Sequence, residues 1–526
     1  MNVEPDAPDA KPYGNWVDPR FLMAGLFIVG LVPLFSTPVL PLIDFYNHLS
    51  RFYVLSHIGA SDLLRHYYQA NWTLLPDIGV DIVGTPILAF VPPMIAGHII
   101  AAGILAIIFS GVLYFNYALT GRHSLLIALL LLPLSYSYIL NWGFANFLLG
   151  LGLAFWAAGW WIAHRERPLL AVPVSCVFAV LIFLCHGLAF GLYGILVAFA
   201  EIGLFISAPV HRPLDLVRSL CLVAVQAIIP LAFFVWWMGF RGHGVVDTDL
   251  AAFSPQVHAD VRLVKLVPRI LKRLIPIFRV EEGPAYWFDI ATFLIQAGAI
   301  AVLFWFGRVK ISRPGWPVIV AALMTVGIGV PKLFGVGFIT DRMPLFAALV
   351  LLGVLAVRPG RWDRGSRIAC GVLIATVLVR LAAVATTWHT YDESYREFRS
   401  VAAAIPRGSL VMPVNYGSGN HETDVPRCEM YAPMLVANYD QISWLFAEKD
   451  QQPLLLTGRL KTSLNALHLR YKPGHEGEYT RYMSDAIASG FDYLLVCNAH
   501  LLTQPFPSNA SLIAQTPHFA LLKAKM

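Results

Sequence analysis

Just after the first long apolar run the chain reads Asp44-Phe45-Tyr46-Asn47-His48-Leu49-Ser50-Arg51. Wound as a helix, this octet puts Asp44, His48 and Arg51 at i, i+4 and i+7, on one face. A carboxylate placed there can take a proton as a general base, while imidazolium and guanidinium groups can hold a phosphate oxyanion. Asp44, His48 and Arg51 are therefore the candidate catalytic residues. Further on, Pro76 precedes Asp77 and Asp81, four residues apart on one helical face. Asp77 suits a helix N-terminus as well as it suits a site, and paired carboxylates can share a proton or hold a divalent cation. His98, Asn146, His186, Lys332, Asp341 and Arg342 fall near the ends of later apolar stretches. A cation beside an apolar bundle needs an anion. Asp341 stands next to Arg342, whereas Lys332 has no acidic neighbour in sequence. Asp77, Asp81, His186, Lys332 and Arg342 are the candidate substrate-binding residues.

The elements that position these groups follow from composition. The chain has 526 residues, 57% hydrophobic and only 13% charged, with a mean hydropathy of +0.63. Soluble proteins carry about 25% charged residues, so this chain has too little charge to cover a water-soluble body. A cytosolic enzyme, a disordered chain and a disulfide-stapled secreted domain are excluded. Apolar stretches near the length needed to cross about 30 Å of hydrocarbon recur through the first three quarters. Eleven spans are expected, about 21–42, 93–117, 124–141, 144–163, 169–185, 187–208, 218–240, 287–307, 316–338, 343–357 and 367–387. The fifth and sixth meet at a break around Cys185, His186 and Gly187. The first run, with no cleavage motif after it, reads as a retained signal-anchor.

Lys and Arg fall in alternate loops: Arg122, then Arg165 and Arg167, Arg212 and Arg218, Arg308, Lys310 and Arg313, and lastly Arg358, Arg361, Arg364 and Arg367. The intervening turns are nearly uncharged. By the positive-inside rule the basic loops and the N-terminus face the cytoplasm. Residues 43–92, 241–286 and 388–526 then share the outer face. Within the second of these, residues 257–280 form a basic amphipathic segment suited to the interface plane. Glu201 and Arg380 lie inside spans as structural or snorkelling groups.

Residues 1–387 are thus expected as a multi-span domain with outer loops 43–92 and 241–286, and residues 388–526 as a small extracytoplasmic α/β domain. That last part holds 12 Lys and Arg and 13 Asp and Glu. Helices at Asp392–Ala404 and Tyr479–Ser489 and strands at Ser409–Pro413, Tyr493–Cys497 and Phe519–Lys523 are expected in it. Cys428 and Cys497 both lie there, on a side that permits a disulfide. Cys176, Cys185, Cys221 and Cys370 read as inert thiols in or near spans. No CxxC or HxxxH spacing points to structural zinc. The chain has 28 Arg against 10 Lys, a bias of GC-rich bacteria, so a bacterial inner (plasma) membrane is expected.

This plan resembles the GT-C superfamily of integral-membrane glycosyltransferases. Asp44-Phe45-Tyr46-Asn47-His48-Leu49-Ser50-Arg51 looks like the Asp-x-x-x-His-x-x-Arg element of bacterial members, and the Pro76, Asp77 and Asp81 stretch follows it in the same loop. The sequence departs from better-known branches in having no acidic neighbour beside Asp44 and no WWDYG-type signature in the outer domain. The resemblance implies transfer of a sugar from a polyprenyl-phosphate donor to a lipid, glycan or protein acceptor on the outer face. In it Asp44 is the base, and Arg51, His48, Lys332 or Arg342 steadies the departing lipid phosphate. No cofactor is implied, although a divalent cation at Asp77 and Asp81 stays open, and the partners are membrane lipids rather than nucleic acid. Two other readings compete. One is a transporter or flippase for a lipid-linked precursor, against which the absence of an internal repeat counts. The other is a non-enzymatic membrane scaffold.

Overall fold

The computed structural model describes residues 18–74, 76–241, 286–328, 337–360, 362–415, 428–444, 453–468, 478–502 and 504–525. Lys332 and the basic segment 257–280 lie outside the described residues.

The first apolar run is not one helix. It forms α1 (Pro19–Gly30) and a single turn, α2 (Val32–Phe35), then continues as extended chain past Pro38 and Pro41. The first outer loop follows as α3 (Phe45–His57), α4 (Asp62–Tyr67), β1 (Tyr68–Ala70) and α5 (Gly79–Leu88). Next come α6 (Pro93–Thr120), α7 (Leu125–Ser135), the turn α8 (Tyr138–Asn141) and α9 (Ala145–His164). The break foreseen at His186 separates α10 (Pro168–Cys185) from α11 (Gly187–Ser207). Beyond it lie α12 (Pro213–Val225), α13 (Ile228–Arg241) and α14 (Tyr286–Trp305). The helical body closes with α15 (Gly315–Ile328), α16 (Ile339–Val354) and α17 (Arg364–Ala402), and two short strands beside them, β2 (Val309–Ile311) and β3 (Leu355–Val357), pair antiparallel.

Among the described residues, six helices are long and apolar enough to cross a bilayer, or seven if α12 and α13, bent by 42°, form one span. That is fewer than the eleven expected. Helices α1, α7 and α15 have 12, 11 and 14 residues, below the roughly 17 that a span needs. Arg380 and Asp289, ionisable groups inside the bundle, are paired. Arg380 on α17 donates to Asp289 at 3.1 Å and to Thr292 at 2.6 Å on α14, with both charged side chains buried.

The boundary expected near residue 388 falls inside α17, a single helix of 39 residues. No glycine or proline interrupts residues 372–405, so this helix continues past its apolar part and carries the unit expected on the outer face on its end. There a four-stranded sheet runs in the order β4-β6-β8-β7: β4 (Val411–Asn415), β6 (Tyr493–Cys497), β7 (Ala510–Gln515) and β8 (Phe519–Ala524), with β5 (Leu454–Leu456) outside it. β4 and β6 are parallel, and β8 pairs antiparallel with β6, Cys497 opposite Phe519. Alternation along these strands explains their unbroken hydrophobicity. Tyr493, Leu495, Phe519 and Leu521 turn toward α17 and the membrane body. Leu494, Val496, Ala520 and Leu522 turn the other way, into a core shared with Val54, Leu64 and Tyr68 of the first loop. Strand β1 of that loop pairs antiparallel with β5, Tyr68 opposite Leu456. The outer unit therefore includes part of residues 43–92. Cys428 and Cys497 are joined by a disulfide, their Cα atoms 5.5 Å apart, which ties the short helix Cys428–Tyr431 to the central strand.

Candidate functional site

Helix α3 is held on two sides. From the membrane body, the carbonyls of Asn141 and Trp142 accept from the backbone N–H groups of Ile43 and Asp44 at 2.9 and 3.0 Å. Gly143 makes that approach possible. Its φ is +77°, and a Cβ there would stand 2.5 Å from the Phe45 nitrogen. From the outer unit, Ser50 donates its hydroxyl to the Pro433 carbonyl at 2.6 Å, and Tyr53 donates to Asp440 at 2.8 Å. The helix is consequently buried on most of its faces rather than lying on the interface.

That burial separates the residues of the octet. The Arg51 and Asp81 side chains are both 0% exposed. Arg51 gives Nε to one Asp81 oxygen at 2.5 Å and Nη2 to the other at 2.8 Å, the fork-on-carboxylate geometry of a strong ion pair. Burial raises the Asp81 carboxyl and Arg51 pulls it back. Arg51 Nη2 also lies 2.9 Å from His48 Nδ1. A guanidinium can only donate, so Nδ1 accepts and the His48 proton sits on Nε2. Burial and the adjacent Arg51 charge both hold the His48 pKa well below its usual value, leaving a neutral imidazole. Enclosed in this way, Arg51 and Asp81 lock α3 onto α5. Both Asp81 oxygens are engaged by Arg51, on a different partner from the one Asp77 faces. Among the described residues no three His, Cys, Asp or Glu side chains converge for a metal.

A second group forms where α9, α11 and α16 begin. Asp77 adopts a left-handed conformation, φ +71°, unusual outside glycine. It is not a helix cap, because α5 starts two residues later. Asn146 pins the turn: its Nδ2 donates to the Asp77 carbonyl at 2.8 Å, and its Oδ1 accepts from Val80 N–H at 2.7 Å. Ile78 N–H donates to the Leu184 carbonyl at 3.0 Å, and Gly79 lies so close to α10 that a Cβ would stand 2.4 Å from Cys185 Sγ. The turn holds the Asp77 carboxylate 3.6 Å from His186 Nε2. Arg342 Nη1 is 2.7 Å from the same nitrogen. His186 Nδ1 accepts from Leu188 N–H at 3.1 Å, which caps α11.

Arg342 is 7% exposed, and its guanidinium lies 4.3 Å over the Phe144 ring and 5.1 Å from Phe147. Its Nε has no hydrogen-bond partner among the described residues. The charges of Asp77, Asp44 and Asp341 all act on it. The Asp77 side chain keeps 48% of its surface although protein surrounds it closely, so it lines a recess open to water. Burial pushes its pKa up to about 6, against the pull of Arg342 and Arg51. The structure thus brings together two linked clusters, Arg51 with Asp81 and His48, and Arg342 with His186 and Asp77. Asp44 faces the second from the N-cap position of α3, its side chain making no cap bond. His98 stays apart, its ring nitrogens 2.7 and 3.0 Å from the carbonyls of Met94 and Thr37.

Three residues of the site were not legible as such. Asn146 reads as a packing asparagine, and Phe144 and Phe147 read as span residues. The available signal was the uncharged turn from Asn141 to Asn146, rich in aromatic and amide side chains at a span end. Asn146→Ala is expected to remove both ties to the Asp77 turn. The chain should stay folded with a loss of about 1–3 kcal/mol for the orphaned backbone groups, read as a lower melting midpoint.

The described residues form a mostly helical protein with six or seven candidate membrane spans and a four-stranded sheet that packs with part of residues 43–92, as in a multi-pass membrane protein. No family model matches the chain, and neither does any curated protein. Among solved structures it is similar to the arabinofuranosyltransferase AftD from mycobacteria, determined by cryo-electron microscopy, at 14% identity and a TM-score of 0.45. The match covers 97% of this chain and 40% of that one, so the chain spans about two fifths of that structure's length.

Proposed function

We propose that the chain is a membrane glycosyltransferase that moves a sugar from a polyprenyl-phosphate donor to an acceptor on the extracytoplasmic face. The observation that carries this reading is the buried Arg342 guanidinium, its Nε unpartnered, facing Asp44 and Asp77 at one end of the spanning helices. A buried cation with an unused donor is prepared for an anion. A lipid phosphate at the bilayer boundary supplies one, and its isoprenoid tail can stay between the spans. In the reaction the acceptor hydroxyl attacks the anomeric carbon as the bond to phosphate oxygen breaks. Asp44 takes the hydroxyl proton, the configuration inverts, and Arg342, oriented by His186, receives the charge developing on the leaving phosphate. The neutral His48 can donate Nε2–H to a sugar or phosphate oxygen.

The reading is tested with a labelled polyprenyl-phosphate sugar and the purified chain in proteoliposomes. A covalent sugar–acceptor product supports it. Movement of the intact donor across the bilayer with no product would instead establish a flippase.

The Asp77 value adds a pH dependence. Above pH about 6 Asp77 is ionised and competes with an incoming phosphate for Arg342. A prenyl phosphodiester keeps a single charge through this range, so its affinity should rise as pH falls from 7 to 5. Asp77→Asn should flatten that profile, as read by equilibrium binding. The raised value has a matching consequence for folding. The folded chain binds this proton more tightly than the unfolded one, so the contribution of Asp77 to stability falls as pH rises from about 4 to about 6.

A further inference from the structure

At the opposite end of α9, about 30 Å from Asn146 by helix length, the ends of α6, α9 and α11 and the start of α10 border an open cleft of about 580 Å³. Ile162 and Leu204 line its apolar part, and Arg165 and Arg167 are its cations. Glu201 is 1% exposed and holds the Arg165 guanidinium from below at 3.3 Å. Glu201 is in turn held by the Trp161 indole N–H at 2.8 Å. Arg165 is thereby oriented before any ligand arrives, while 32% of its side chain still faces the cavity and solvent. Arg167 is exposed at the N-cap of α10, whose dipole also favours an anion. Glu166 lines the cavity too, but the adjoining helix ends bring Arg122 and Arg212 to the same face. Directly beside it Leu169 and Ile206 present apolar surface outward.

We infer that this cavity is a phosphate-ester site that takes the head group of an anionic phospholipid, whose acyl chains lie along Leu169 and Ile206. It is distinct from the candidate donor site, and its walls fit an amphiphile: Arg165 held by Glu201 and the exposed Arg167 as cations, with Ile162 and Leu204 as apolar lining. The size suits a phosphoglycerol head group.

Native mass spectrometry of the full chain in non-ionic detergent tests this, comparing phosphatidylglycerol with phosphatidylcholine of the same acyl chains. The wild type should retain phosphatidylglycerol preferentially. Arg167→Gln, an exposed change that leaves the Glu201 pair intact, should lower that retention about fivefold, the weight of one cation near an anionic head group. Arg165→Lys keeps a charge for Glu201 but removes the fork, and should also lower it. Arg364→Gln, on the same face but outside the cavity, should not. Equal retention of the two lipids, or an equal loss in Arg364→Gln, would overturn the inference. Competition by free glycerol 1-phosphate would assign the site to a soluble phosphate ester, and a lack of competition to the lipid.

Discussion

Asp44→Asn is expected to abolish sugar transfer, lowering turnover by about 10²–10⁴-fold, in a chain that still folds and inserts. Asp44 begins α3 without capping it, and its backbone N–H is tied to the Trp142 carbonyl. An amide of the same size keeps that backbone tie and removes the capacity of the side chain to accept a proton. A melting curve taken alongside turnover separates a loss of chemistry from a loss of fold.

Asp81→Asn is expected to act the other way, through the fold. Arg51 is fully buried, and removing the charge opposite leaves an uncompensated guanidinium inside the protein. Losing one partner of a buried ion pair costs about 3–5 kcal/mol. The effect should appear as a marked drop in thermal midpoint and as proteolysis of the first outer loop. Replacing both partners, Arg51→Leu with Asp81→Leu, should recover much of the loss, because an apolar pair does not need the countercharge. Recovery of stability without recovery of turnover would show that the pair also orients His48, whose Nδ1 accepts from Arg51.

Much of the fold is readable from local pattern. The break at Cys185, His186 and Gly187 is marked by a polar residue and a glycine inside an apolar run, and α10 and α11 meet there. Tyr493–Cys497 is legible as a strand because five consecutive apolar residues suit a sheet covered on both faces. The structure departs from the reading where distant segments decide. The limit expected near residue 388 falls within α17, because helix propensity carries through it and the charge of the C-terminal part begins on the same helix. The first loop joins the outer core because β1 finds β5 nearly four hundred residues later, a pairing that local sequence does not announce.

For the site, residue type was informative and burial was not. Asp44, His48 and Arg51 do lie along one side of α3, yet the outer unit and α5 cover the Arg51 end, turning a supposed phosphate ligand into half of a buried ion pair. Asp77 looked like a cap and is instead held in a left-handed turn by Asn146. Periodicity specifies which face a side chain shares and is silent on what packs against that face.

The central claim is that one outward site divides its labour, with Arg342 holding the lipid phosphate and Asp44 accepting the proton. The most direct measurement takes donor affinity and single-turnover product formation side by side in Arg342→Gln and Asp44→Asn. Arg342→Gln should lose donor binding and turnover together, whereas Asp44→Asn should bind donor as the wild type does and form almost no product. Turnover at the wild-type rate in Asp44→Asn, or undiminished donor binding in Arg342→Gln, would contradict the account.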